Sequence, residues 1–120
     1  MEDSWVYSRV LGSSLDFEML DQLGLTGLGE FKNWNDNHVK YRYRGEFFSQ
    51  CDRQMTILEE VQHHLDSINR IYDGLKIAGV QEVVVHVKLS LSNASVEFPV
   101  ALLNSLCLIK ANLALDIVEG

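Results

Sequence analysis

The stretch MTILEEVQHHLDSINRIYDGL, residues 55–75, and the QEVVVHVKLSL that follows at 81–91 decide the fold. In the first, Met55, Leu58, Val61, Leu65, Ile68, Tyr72 and Leu75 recur at spacings of three and four, with Ile57, His64 and Ile71 beside them. Such a repeat lines one side of an α-helix. It predicts a helix of about 27 residues, roughly 40 Å long at 1.5 Å per residue. Ser49-Gln-Cys-Asp52 reads as a capping box ahead of it, and Gly79 as its stop. In the second stretch Val83, Val85, Val87, Leu89 and Leu91 alternate with Val84, His86, Lys88, Ser90 and Ser92. That is a strand with one apolar face.

Other segments follow the same two periods. Residues 5–11, WVYSRVL, are aromatic and β-branched and stop at Gly12, which predicts a first strand. Ser13 and Ser14 offer N-caps to a short helix over about 15–23, with Phe17, Leu20 and Leu23 on one face and Gly24 past its end. Residues 24–38 have no period and read as a long loop carrying Phe31 and Trp34. Over 39–48, Val39, Tyr41, Tyr43 and Phe47 alternate with Lys40, Arg42, Arg44 and Glu46, a second strand with Gly45 as a possible bulge. Pro99 opens a third helix over about 99–110 with Leu102, Leu103, Leu106 and Ile109 inward. Leu113, Leu115 and Ile117 then form the inner face of a last strand.

The expected order is β-α-β-α-β-α-β in a single α+β domain, residues 1–120. Polar outer faces on the second and third strands oppose a doubly wound parallel sheet, which is buried on both sides. The expected architecture is a two-layer sandwich: a four-stranded, mostly antiparallel sheet with helices on one face and the other face at least partly open.

Composition narrows the function classes. The 120 residues are 47% hydrophobic and 22% charged with one proline, ordinary for a globular chain. No apolar run approaches the ~20 residues of a membrane helix, and the Met-Glu-Asp start shows no signal peptide. Cys51 and Cys107 are too few for a disulfide framework, so free thiols in a cytoplasmic protein are expected. Ten basic against 17 acidic residues give a net charge of −7, which opposes general nucleic-acid binding and suits a basic protein partner. Residues 1–38 hold seven acids and two bases, whereas 39–50 reverse sign through Lys40, Arg42 and Arg44.

Candidate chemistry is sparse. Glu59/His63 and Glu60/His64 stand at i, i+4, a spacing that suits metal ligands but equally pairs on a helix surface, and surface pairing is the expectation. The glycines at 24, 27 and 29 match neither phosphate-binding pattern. Either cysteine paired with a distant histidine would make a nucleophile, but Cys107 sits in an apolar run and Cys51 beside Asp52. No catalytic residue, metal or cofactor is expected. Lys40, Arg42, Arg44, His86 and Lys88, with Trp5, Tyr7 and Arg9, would share the open sheet face in the manner of some single-strand RNA binders.

Leu15-Asp-Phe-Glu-Met-Leu-Asp-Gln-Leu-Gly-Leu25, Leu103-Asn-Ser-Leu106 and Ala111-Asn-Leu-Ala-Leu-Asp-Ile-Val118 resemble the motifs of a bacterial family of unknown function made of small cytosolic α+β domains. The chain departs from that pattern in lacking a proline before Trp34 and in a more apolar third helix. The resemblance implies an immunity protein: a non-enzymatic inhibitor of a cognate secreted toxin domain, expected to be a basic nuclease, acting as a monomer or weak dimer without nucleic acid or membrane. The alternatives are an RNA-binding module on the open sheet face and a small enzyme or enzyme subunit. Glu18 and Asp21 on the first helix, with Glu30, Trp34 and Asp36 in the loop, are the expected partner-binding residues. A tryptophan anchor ringed by carboxylates suits a basic partner.

Overall fold

The structure, a computed structural model, describes residues 4–32, 40–49, 55–91 and 96–119. The elements run β1 (Trp5–Gly12), α1 (Phe17–Gln22), β2 (Thr26–Glu30), β3 (Tyr43–Phe47), α2 (Ile57–Ile77), β4 (Glu82–Leu91), α3 (Val100–Leu108) and β5 (Asn112–Glu119). The sheet order is β2-β3-β1-β4-β5, with three antiparallel ladders and a parallel one between β4 and β5. The α+β sandwich and its mostly antiparallel sheet are as expected. The count of four strands and the strict β-α alternation are not.

The extra strand is β2, within the segment read as a loop. Its sequence is Thr-Gly-Leu-Gly-Glu, and two glycines in five residues erase the alternation that marks a strand. Gly27 has a positive φ of 58°, and the register with β3 shifts between Thr26 and Gly29, so the bulge lies here. Gly45, by contrast, pairs regularly with Val10.

The long helix spans 21 residues, starting later than the apolar repeat suggests. Thr56 is its N-cap: the Thr56 Oγ1 accepts from Glu59 N at 3.2 Å, and Glu59 Oε1 accepts from Thr56 N at 3.0 Å. The reciprocal Thr-x-x-Glu pair is the capping box, not the one read at Ser49–Asp52, of which residues 50–52 lie outside the described residues. Likewise Asp16, rather than Ser13 or Ser14, caps α1 by accepting from Met19 N at 3.1 Å.

The inner layer is where β and helix periods meet. Val10 of β1 and Val83, Val85, Val87 and Leu89 of β4 face Val61, Leu65, Ile68 and Leu75 of α2, all buried. Leu20 of α1 and Leu102 and Ile109 of α3 complete the core, but Leu103, expected inside, is exposed. Two backbone bonds tie the end of α2 to the end of β1 and the turn after it, Gln81 N to Leu11 O at 2.8 Å and Asp16 N to Ala78 O at 2.9 Å, while Val80 N to Leu75 O at 3.0 Å closes α2 itself. Gly79 sits at this corner with φ of 96°, and a Cβ there would collide with the Ser14 carbonyl. Only glycine meets both conditions.

Leu65→Ala and Ile68→Ala should each cost about 2–5 kcal/mol as buried large-to-small changes. Asp66→Ala, on the exposed side of α2, should cost under about 0.5 kcal/mol. Gly79→Ala should be destabilising well beyond Asp66→Ala. Urea melts of the four variants check the ranking, and equal losses would contradict the packing.

Candidate functional site

The alternation of β1 places Trp5, Tyr7 and Arg9 on the side of the sheet away from the helices. β4 pairs His86 with Tyr7 and Lys88 with Trp5. β3 sets Glu46 opposite Arg9, and Phe48, one residue past inward-facing Phe47, turns outward. The rings converge on Tyr7. Phe48 stacks on it at 5.4 Å between centroids and His86 at 4.9 Å, while Trp5 lies tilted at 5.3 Å. Trp5 and Phe48 remain 41% and 57% exposed, so the cluster presents an aromatic surface to solvent. Next to it, Arg9 Nε is buried without a hydrogen-bond partner among the described residues. Burial holds the His86 imidazole below its ordinary pKa; the Arg9 charge adds to this, and Glu46 opposes it.

The basic residues of 39–50 are less free than their sequence suggests. Lys40 and Arg42 precede β3 and pair with Glu82 at 3.9 Å and Glu30 at 3.3 Å. Arg44 lies on the open face but donates to Gly27 O at 3.1 Å. The structure therefore brings Arg44, His86 and Lys88 to the face with Trp5, Tyr7 and Arg9, and ties Lys40 and Arg42 into ion pairs at its margin.

Among the expected partner-binding residues, Glu18 and Asp21 are exposed on α1 as predicted. Glu30 ends β2 in its ion pair with Arg42 and pairs with Tyr43, whose ring meets Phe17 edge-on at 5.6 Å. These three acids thus share one end of the molecule. Trp34 and Asp36 lie outside the described residues, as does Cys51. Cys107 is exposed on α3 and not enclosed by its apolar neighbours.

The i, i+4 pairs on α2 do not form as expected. Glu59 is spent on the helix cap, and His64 points into the core. Among the described residues no group of three potential metal ligands occurs. His64 Nε2 lies 2.6 Å from Ser8 Oγ and Nδ1 lies 2.9 Å from Ser49 Oγ, so both ring nitrogens are engaged whichever carries the proton. The ring also leans on Phe47 at 5.5 Å. A serine against a histidine is the start of a nucleophile–base pair. Here Ser8 and His64 are both completely buried and the second partner is another serine, so the trio serves the core. Sequence reading missed it because His64 flanks the apolar stripe and Ser8 sits 56 positions away. It missed Phe48 too, although the alternation through Phe47 was sufficient to find it.

No protein family, curated protein or solved structure matches the chain. No helix among the described residues is long and apolar enough to cross a membrane.

Burial, aided by the charge of neighbouring His63, pushes the His64 pKa down to about 4. The unfolded chain binds a proton near pH 6.5 that the native state refuses. Stability from this site is therefore full above about pH 6.5 and falls as pH drops toward 4, by about 3 kcal/mol in total. His64→Gln, which can still hydrogen-bond both serines but does not titrate, should lose stability at pH 7 and show a flatter pH dependence between 6.5 and 4. Urea melts of both proteins across that range measure the difference, and parallel curves would refute the assignment.

Proposed function

We propose that this chain is a non-enzymatic, immunity-type binding protein that docks a basic toxin domain on its open sheet face. The aromatic cluster of Trp5, Tyr7, Phe48 and His86 beside Arg9 carries the reading. Tryptophan, tyrosine and arginine dominate binding hot spots because large rigid side chains with one polar point gain most when water leaves. A sheet supplies the rigidity: Trp5 and Tyr7 are fixed by pairing with β4, and Arg9 by pairing with strands on both sides of β1.

The net charge of −7 supports a basic partner, since an acidic surface speeds encounter with a basic domain. Glu18, Asp21 and Glu30 cluster at the Gly12 end of the sheet, whereas the aromatic cluster is built around the Trp5 end. Seven strand residues separate these ends, roughly 23 Å. The acids in this reading steer, and the rings seat the partner. The sequence resemblance to immunity proteins points the same way.

Single-stranded RNA is the second reading, favoured by stacked rings on an open sheet. The ion pairs that occupy Lys40 and Arg42 and the hydrogen bond that holds Arg44 speak against it.

The test is calorimetric titration with the basic C-terminal domain of a secreted protein encoded beside this chain, and with oligouridylate as the RNA probe. Trp5→Ala with Phe48→Ala should weaken the protein complex about thirtyfold or more while the circular dichroism spectrum is kept. Glu18→Lys with Asp21→Lys should slow association and reduce its salt dependence with little change in dissociation rate. Trp34→Ala with Asp36→Ala is the comparison: if that pair alone abolishes binding, the seat lies in the loop. Micromolar RNA binding near physiological salt, lost on Arg9→Ala with Lys88→Ala, would transfer the function to the RNA reading.

A further inference from the structure

Six of the nine large exposed hydrophobic side chains among the described residues belong to α3 and β5: Val100, Leu103, Leu108, Leu115, Ile117 and Val118. β5 is also an edge strand. Leu115 and Ile117 face the helix layer, opposite Val87 and Leu89, which are fully buried. Yet Leu115 is 44% exposed and Ile117 58% exposed. Among the described residues Leu113 still packs against the core, but Leu115 and Ile117 farther along the strand are left largely open.

The two sheet edges differ. β2 is five residues long, contains Gly27 and Gly29, carries a bulge and ends on Glu30, the features by which edges resist pairing. β5 keeps unbroken parallel register with β4 over eight residues and contains no glycine or proline, and Asp116 is the only charged residue of 112–118. A long, regular, apolar edge is a template for another strand.

We infer that β5 pairs with β5 of a second copy of this chain, antiparallel about a two-fold axis through Leu115, joining the two sheets edge to edge. Three observations select a second copy as the occupant. First, the register is self-complementary. With Leu115 on the axis, Ile117 meets the other copy's Leu113 on the helix side, and Asp116 meets Ala114 on the open side. The two Asp116 carboxylates are then diagonal, about 7–8 Å apart between backbone positions. Moving the axis to Asp116 would set the two carboxylates against each other, which like charge disfavours, and moving it to Ala114 would leave Ile117 opposite Ala111, outside the strand, so the register on Leu115 pairs the apolar side chains best. Second, the helix-side positions of this edge, Leu113, Leu115 and Ile117, carry no charge, so two copies of a chain whose net charge is −7 meet there without like-charge contact. Third, Leu115 and Ile117 are neighbours on one side of the strand and both largely exposed, and strand pairing across the edge supplies them with apolar partners. This pairing is independent of the proposed use of the open face and leaves Trp5 and Phe48 uncovered.

Sedimentation equilibrium of the purified full chain should report twice the 13.6 kDa chain mass. The association should tighten with added salt, because salt screens the repulsion between the acidic copies. Leu115→Lys puts two ammonium groups on the axis and should raise the dissociation constant about 100-fold or more, with circular dichroism unchanged. Trp5→Ala with Phe48→Ala, on the open face, should leave the mass unchanged. In a Cys51→Ser, Cys107→Ser background, Leu115→Cys should form an interchain disulfide on mild oxidation, because residues on the axis of an antiparallel pair lie about 4.5–5.5 Å apart at Cα. Asp116→Cys in the same background should cross-link far less. A monomeric mass at every concentration, a dimer that survives Leu115→Lys, or cross-linking as fast through Asp116→Cys as through Leu115→Cys would each overturn the inference.

Discussion

The burial of one stripe of α2 on the paired strands β1 and β4 is the constraint from which the rest of the molecule follows. Val61, Leu65, Ile68 and Leu75 are withdrawn from water against Val10, Val83, Val85, Val87 and Leu89. Each such side chain contributes on the order of 1.5–3 kcal/mol of transfer free energy, offset by the entropy of ordering the chain. A helix and a strand can share one seam only if a 3.6-residue and a 2-residue period coincide, which sets both elements' rotation. The same rotation turns His64 inward and Trp5, Tyr7 and Arg9 outward. The polar trio in the core and the aromatic face on the surface are therefore two consequences of one packing decision. Ser8 occupies an inward position of β1, and the His64 imidazole satisfies it across the seam. A buried hydroxyl left alone there would forfeit about 1–3 kcal/mol.

How much of this was legible depends on whether a residue's environment is local. The α2 stripe, the β4 alternation and the outward set of β1 rest on periods contained in one segment, and they are found where the sequence puts them. β2 was not legible because its glycines carry no side-chain period; its place is set by pairing with β3, a partner more than a dozen residues away. The start of α2 was displaced because apolar residues at Met55 and beyond continue the stripe, while the Thr56–Glu59 cap decides where the helix begins. Leu103, Leu115 and Ile117 show the opposite error. Their pattern matches an inner face, and Leu115 and Ile117 do point to the helix side, yet all three remain largely exposed. Pattern reports direction, and only the extent of the opposing layer reports burial.

The candidate site was legible in part for the same reason. Alternation identified Trp5, Tyr7, Arg9, His86 and Lys88 as outward, but not that three rings would meet on Tyr7, since β1, β4 and the residue after β3 each supply a piece. The charge run at 40–44 read as a cationic stripe because partners from β2 and β4 are invisible in linear order. Glu30 and Glu82 take up Arg42 and Lys40, and each cation also lies over a neighbouring tyrosine ring, at 5.3 Å and 5.1 Å. The Lys40 ammonium is held above its ordinary pKa by Tyr41 first and Glu82 after it. A stripe so committed steadies the margin of the sheet more than it attracts phosphate.

Two surfaces remain uncovered by the fold, and their chemistries are different enough to imply different partners. The open face mixes rings, Arg9, Lys88, Glu46 and Arg44, so contact there would be specific through hydrogen bonds and charge as well as area. The β5 edge offers backbone groups and mostly aliphatic side chains, with Asp116 within it and Glu119 at its end, so contact there would rest on strand pairing and apolar burial. Salt separates the two, because screening weakens attraction between the acidic chain and a basic domain but relieves repulsion between two acidic chains. Edge-to-edge pairing would also set two open faces on one continuous sheet. A dimer could then present two copies of the aromatic cluster in fixed relation, which raises the effective concentration of the second site without any further contact. An acidic chain that associated through this largely apolar edge would keep most of its carboxylates, and its rings, available to something of the opposite charge.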